Sequence, residues 1–362
     1  MKEKIKFMYF IGIDQHKRYS QIAVIDREGN LLEKRKIYHY DKQELFNYFC
    51  SFPANKTKVV LEATSCWYWL ADLLEKAKLK TILAHPYKTR IIAESKIKTD
   101  SIDAYLLAQL NRVNLIPESF LAPKGTRLLR EELRYRISLV KIRTSLKNKI
   151  HSMLEKEGID TPKFSDLFGK RGLKWLKSLE LDKPLSQVLK GYLSLIERIN
   201  SLVEKIDNSI KAKTKDSYEA QLLKTIPGIG FFTAHLILCE VGDIERFPTA
   251  RKFSSYIGIV PSVHQSGGIN FTGKITKQGN KYLRWALIEA AQKAVIKDGY
   301  LKVFYEKISF KKGKQKAKVA VANKLAHIIW AVLKYKEAYK PRIFKPQASP
   351  AMFSGPYYLR AR

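Results

Sequence analysis

The stretch FMYFIGIDQHKRYSQIAVI, residues 7–25, decides how the first third of the chain is read. Phe7 to Ile13 is an apolar run that ends on an acid, Asp14, and Gln21 to Ile25 is a second strand-like run. The turn Arg27-Glu28-Gly29-Asn30 leads into Leu31 to Tyr38, so an antiparallel meander is expected. Asp41 can cap a helix carrying Leu45, Tyr48 and Phe49. Further out, Lys58 to Leu61 is a short buried strand closed by Glu62. A helix with Trp67, Leu70 and Leu74 comes next, then a strand from Thr81 to Ala84 and a helix containing Asp100 and Asp103.

Three strands, a helix, then alternating strand and helix is the order of an α/β ribonuclease-H-like domain, expected over residues 1–120. Residues 121–217 read as a basic helical linker. Its second part carries a heptad-like series, Tyr192, Ile196, Ile199, Val203, Ile206 and Ile210, which can pack within the chain or form a dimer coiled coil. Residues 218–340 read as a mostly α C-terminal domain with a Gly-rich interruption at 265–280. Residues 341–362 lack periodicity and read as a mobile tail.

Charge narrows the partners. The 362 residues hold 67 Lys and Arg against 34 Asp and Glu, a net +33. Self-repulsion of that size opposes compaction, and a polyanion such as nucleic acid would neutralise it. Three distant cysteines, Cys50, Cys66 and Cys239, offer neither a disulfide framework nor a zinc site, which suits a reducing cytoplasm. The basic, apolar N-terminus is interrupted by polar residues and shows no cleavage site, so no signal peptide is expected. No apolar run reaches the ~18 residues that span a membrane.

Four carboxylates form the first candidate site. Asp14 and Glu62 end strands, and Asp100 and Asp103, three apart, share one helix face. Two carboxylates about 4 Å apart repel by roughly 1 to 4 kcal/mol, which a divalent cation relieves. Mg²⁺ suits such oxygen ligands together with substrate phosphates, and a pair of ions can serve both the attacking and the leaving oxygen. Singly, each residue has a plainer reading: Asp14 as a turn residue, Asp100 as a helix cap. His16 can touch the metal or phosphate, or simply pack beside the site.

Nucleic-acid contacts are expected from three further places. Between Lys124 and Lys149 a helix carries nine basic residues against two acids, including Arg127, Arg130, Arg134, Lys141 and Arg143. This helix either tracks phosphates or presents a solvated face. LLKTIPGIGFFTAHLILC, residues 222–239, places Gly228 and Gly230 between two helical patterns. That is a helix-hairpin-helix signal for backbone binding, or an ordinary helical turn. Then Ser266 precedes two glycines, and Lys274 and Lys277 follow in a loop that can hold a phosphate. No base adjacent in sequence activates Ser266, although His264 is a candidate, and GxSxG is absent.

IGIDQHK, VVLEAT and KTDSIDA, carrying the order Asp14, Glu62, Asp100, Asp103, resemble the DEDD transposases of the insertion-sequence-110 group. TIPGIGFFTA, YIGIVPSVHQSGG and GKITKQGNKYLRWALIEAA are similar to that group's C-terminal transposase domain. The two resemblances cover about residues 8–115 and 218–295. They imply a Holliday-junction-resolvase-like (RuvC-like) catalytic domain and recombination of donor and target DNA guided by a non-coding bridge RNA. They also imply a homotetramer, an acidic tetrad holding Mg²⁺, and a serine nucleophile matching Ser266. A metal-dependent, structure-selective endonuclease using the carboxylates alone is the alternative enzyme, and a non-catalytic nucleic-acid-binding protein the alternative outside enzymes. The four-carboxylate set argues against the second and Ser266 against the first, because a plain nuclease uses water.

Overall fold

The computed structural model describes residues 7–92, 100–214, 217–266 and 269–341; at residues 100, 101, 263–266 and 269–272 it describes the backbone only. The expected tail lies almost wholly outside the described residues. The chain divides into two compact units, residues 1–124 and 125–362.

The first unit runs β1 (Tyr9–Gln15), β2 (Tyr19–Ile25), β3 (Leu31–Tyr38), α1 (Lys42–Cys50), β4 (Thr57–Glu62), α2 (Trp67–Lys76), β5 (Lys80–Ala84), α3 (Pro86–Ile92), α4 (Asp100–Arg112) and β6 (Glu118–Ser119). One sheet takes the order β3-β2-β1-β4-β5-β6. The meander β1-β2-β3 is antiparallel, β4 and β5 add parallel to β1, and β6 closes antiparallel on β5. The two-residue β6 has no counterpart in the sequence reading, because two residues carry no periodicity. Asp41 caps α1 as expected, its carboxylate accepting from the Glu44 amide.

Helices cover both faces of the central strands, so β1 and β4 are buried along almost their whole length. On one face Ile11, Ile13 and Leu61 pack with Phe49 of α1 and Leu70 and Leu74 of α2. On the other, Phe10 packs with Ala108 of α4, and Val60 with Leu107 and Leu110. Strand alternation then assigns Gly12 and Asp14, which follow Phe10 in steps of two, and Glu62, which follows Val60, to the α4 face.

Gly12 sets how near α4 comes. A Cβ on Gly12 would run into the carbonyl oxygen of Ala104 and stand 2.6 Å from the Ala108 amide nitrogen. Both are backbone atoms of the helix, so neither can swing aside.

The second unit is mostly helical: α5 (Lys124–Lys156, with its first residue on the unit boundary), α6 (Lys170–Lys177), α7 (Lys183–Lys213), α8 (Tyr218–Lys224), α9 (Phe231–Val241), α10 (Ala250–Ile257), the hairpin β7 (Pro261–Ser266) and β8 (Ile269–Ile275), α11 (Lys281–Lys297), α12 (Gly299–Lys312) and α13 (Lys314–Tyr335). Ile196, Ile199 and Val203 of the heptad-like series pack with Leu146, Ile150 and Met153 of α5 and Leu176 of α6. The seam therefore closes inside the chain. A second core gathers α8 to α13 around Leu223, Phe253, Leu287, Val321 and Ile329. No described helix is long and apolar enough to cross a membrane.

Gly12→Ala should destabilise the chain by about 2–3 kcal/mol in urea denaturation, through forced separation of α4 from β1. Gly125→Ala, where an added Cβ meets nothing within 4 Å, should change stability by less than about 0.5 kcal/mol. Equal effects would detach the α4 approach from Gly12.

Candidate active site

Ile13 of β1 lies opposite Leu61 of β4. Asp14 and Glu62 are the next residues along, at the carboxyl-terminal ends of adjacent parallel strands. Asp103 precedes Ala104, the helix residue pressed onto Gly12. Two strand ends and one helix thus bring three carboxyl-bearing positions to the α4 face, and Asp100 opens the same helix. The Asp14 side chain keeps only 12% of its surface exposed, and its Oδ2 lies 3.0 Å from Nε2 of His16. His16 in turn stacks on Tyr19, with ring centroids 4.6 Å apart. Gln15 donates from Nε2 to the carbonyl of Cys66 at 3.1 Å, which ties the end of β1 to the start of α2.

Among the described residues no group of three or more His, Cys, Asp or Glu side chains stands close enough to hold a metal ion. The Asp100 carboxylate lies outside the described side chains. The donor chemistry nevertheless suits a hard divalent cation: carboxylate oxygens on rigid elements, one of them nearly buried, with no sulfur ligand among them.

Ser266 is the last residue of β7 and pairs with Ile269 across the hairpin. The sequence reading treated 265–280 as a Gly-rich loop. The backbone instead makes two paired strands, because Val263, Ile269, Phe271 and Ile275 suit extended structure. The side chains of His264 and Ser266, and residues Gly267 and Gly268, lie outside the described ones. Lys274, near the end of β8, and Lys277, just past the hairpin with a left-handed φ of 54°, are exposed.

At the α8–α9 junction, Gly228 has φ +86°, and a Cβ there would meet the Ala290 carbonyl and stand 3.0 Å from the Ala294 amide of α11. That glycine serves close packing. Gly230 caps α9 without a side-chain acceptor, and nothing lies within 4 Å of where its Cβ would be.

The basic helix α5 departs most from expectation. Arg127 and Arg130 are buried, at 4% and 9% exposure. Arg130 donates from Nε to the Cys239 carbonyl at 2.6 Å. Arg134 grips Glu240 with two hydrogen bonds, 2.8 and 2.9 Å, and lies over the Tyr282 ring. Arg143 reaches Asn200 at 2.7 Å. Of the five α5 positions read as phosphate contacts, Lys141 is the fully exposed one. The cause is Glu240, a carboxylate at 1% exposure inside an apolar helix, which needs compensating charge. Asn280 adds a hydrogen bond to it at 2.7 Å while its own Oδ1 caps α11. Glu240 therefore joins α5, α9 and the turn after the hairpin. It went unread in the sequence, although an acid inside FFTAHLILCEV was a signal that a partner was required. Burial pushes the neighbouring Cys239 thiol up to about 11, making it an inert core group.

Comparison with known proteins fits this arrangement. A family model described as the IS116/IS110/IS902 transposase family matches residues 220–306, and a DEDD transposase model of the IS110 type matches residues 11–158. The transposase for insertion sequence element IS1111A of Coxiella burnetii is 29% identical over 355 residues, spanning 94% of this chain and 93% of that protein. A probable family 20 transposase of Pseudomonas aeruginosa is 25% identical over 91% of this chain and 98% of its own length. The pilin gene-inverting protein of Moraxella lacunata is 28% identical over 79% of this chain and 82% of its own.

A mixed α/β sheet unit followed by a mostly helical one, with both matches in chain order, defines a DNA transposase. The chain belongs to the IS110 family of insertion-sequence transposases. Its DEDD type implies a divalent metal ion.

Glu240→Ala should cost about 3–5 kcal/mol in denaturant titration, since it leaves Arg130 and Arg134 buried without their carboxylate. A loss below about 1 kcal/mol, the range of an exposed pair, would remove Glu240 from this role.

Proposed function

We propose that this transposase cuts, exchanges and rejoins DNA strands with two sets of groups, the carboxylates Asp14, Glu62, Asp100 and Asp103 and the hydroxyl of Ser266. The observation that carries the reading is the placement of Asp14 and Glu62 on one face of adjacent parallel strand ends, beneath the helix bearing Asp103. The strand order 3-2-1-4-5, with an antiparallel meander and parallel additions, supports a ribonuclease-H-like, RuvC-like domain.

In this reading the tetrad holds Mg²⁺, which when bound withdraws charge from the phosphate and stabilises the leaving oxygen. The Ser266 hydroxyl gives up its proton as its oxygen bonds to phosphorus, one bond from phosphorus to a deoxyribose oxygen breaks, and that oxygen takes up a proton, so the step is proton-neutral overall. Rejoining reverses these steps with the hydroxyl of a different strand, so the phosphodiester energy is conserved in the covalent intermediate. Exposed Lys274 of β8 and Lys277 just past the hairpin support the strand electrostatically, and Lys141 does so from α5. The unsatisfied amides at the start of α9, after Gly230, add a contact to the sugar–phosphate backbone. A non-coding bridge RNA selects donor and target, as the resemblance implies. The domains follow the reading 1–120 catalytic, 121–217 linker and 218–340 serine-bearing, and the assembly is a tetramer in which the acidic domain of one protomer serves the serine of another.

Asp14→Asn and Ser266→Ala should each lower strand cleavage by roughly three orders of magnitude or more. Both variants should also lose the covalent protein–DNA adduct seen on denaturing gels when the metal is present, since in this reading the adduct forms in the cleavage step itself. Mixing the two inactive proteins should restore some cleavage, since one protomer's acids then meet another's serine. Full cleavage by Ser266→Ala overturns the serine mechanism in favour of water attack. Background activity in a mixture shown by differential tags to co-assemble overturns the shared site.

A further inference from the structure

A row of aromatic rings leads outward from Asp14. His16 stacks on Tyr19 at 4.6 Å and 28°. Tyr19 pairs across the β2–β3 ladder with Tyr38, whose ring stands edge-on at 6.1 Å. Tyr38 stacks on Tyr40 at 5.8 Å and 22°, and Tyr40 is 88% exposed. The Lys36 ammonium lies 3.9 Å from the Tyr19 centroid and 5.1 Å from that of Tyr38. The row thus begins at a carboxylate and ends in solvent, on the outermost strand of the sheet.

Core packing does not explain the outer end. A tyrosine ring pair with Tyr38 at 45% and Tyr40 at 88% exposure leaves large apolar faces in water. The β3 strand bearing Tyr38 carries Lys34, Arg35 and Lys36 against the single acid Glu33, with Arg35 paired to Glu44, so the lysines leave a cationic surface that suits a cationic partner poorly. Exposed π faces beside ammonium groups suit an unpaired nucleic-acid strand: bases stack on the rings while the lysines meet phosphates. A paired duplex fits badly, because its bases already stack on each other and offer only their edges.

We infer that Tyr38 and Tyr40, with Lys36, form a stacking platform for an unpaired nucleotide next to the Asp14 site. Placing that nucleotide beside a cleaved phosphate rests on the function proposed above; the stacking does not. The platform would hold a strand end splayed out of its duplex, which strand exchange requires and which simple duplex binding does not.

The test uses the full chain and three probes of one sequence: single-stranded DNA and single-stranded RNA, each with one 2-aminopurine, and the blunt DNA duplex. Binding of a single strand should quench the 2-aminopurine through stacking on tyrosine. Tyr38→Leu with Tyr40→Leu should weaken that binding about tenfold and remove the quenching, while Tyr38→Phe with Tyr40→Phe keeps both. Duplex affinity should not change in either variant. Loss confined to the DNA or to the RNA supports the platform and names its occupant. Equal weakening for duplex and single strand, or no change for either single strand, overturns it. Asp14→Asn should retain the quenching; if Asp14→Asn also cleaves normally, the functional reading fails while the platform stands.

Discussion

The close approach of α4 to β1 at Gly12 is the contact on which the proposed acidic site depends. Three carboxyl-bearing positions on three separate elements mean nothing chemically unless those elements meet within a few ångströms. Adjacent parallel pairing brings β1 and β4 together and sets Asp14 and Glu62 side by side. The helix is held at backbone contact distance only where a side chain is missing. The same lack of a side chain that weakens a strand interior is what lets Asp103 come near the strand ends.

The second unit solves a different problem, a carboxylate buried in an apolar helix. Glu240 sits among residues that exclude water, so its charge is stabilised by groups drawn from elsewhere: Arg130 and Arg134 of α5, and Asn280 at the start of α11. Because Asn280 also caps α11 and donates its backbone amide to the Tyr256 carbonyl, the residues after the hairpin are anchored at their far end. The end of β8 is therefore tied back to α9 and α10 through Asn280.

Much of the first unit was legible in the sequence. Leu31 to Tyr38 is a strand over the very span that the Arg27–Asn30 turn leads into, and Asp41 caps the helix that its position implied. Apolar runs and caps are local, and local signals survive without tertiary knowledge. The hairpin around Ser266 was read as a loop because His264, Gln265 and Ser266 are polar, and pairing between two short strands depends on each other rather than on either alone. The sequence offers the carboxylates only as spaced positions; the side-by-side ends of β1 and β4, and the Gly12 contact that draws α4 against β1, belong to the fold. The arginines of α5 were misjudged for a related reason. Counting charge along a helix says nothing of which side is covered, although Arg127, Arg130 and Arg134 share spacing with the buried Leu133 and Ile137. A buried acid more than a hundred residues away was needed to explain Arg130 and Arg134.

That division of labour between basic residue types has a physical basis. A guanidinium carries a planar, weakly hydrated charge and matches a carboxylate with two parallel hydrogen bonds, so it tolerates burial against Glu240 and Asp207. An ammonium is compact and strongly hydrated, and loses more when buried. Lys141, Lys274 and Lys277 accordingly stay exposed, and Lys58, buried at 7% exposure, is held instead by a hydrogen bond to the Asn114 side chain. The formal charge of +33 therefore overstates what the arginines of α5 offer a polyanion. Internal carboxylates already neutralise Arg134 and Arg136, which leaves the solvated lysines as the mobile charge that phosphates can displace ions from.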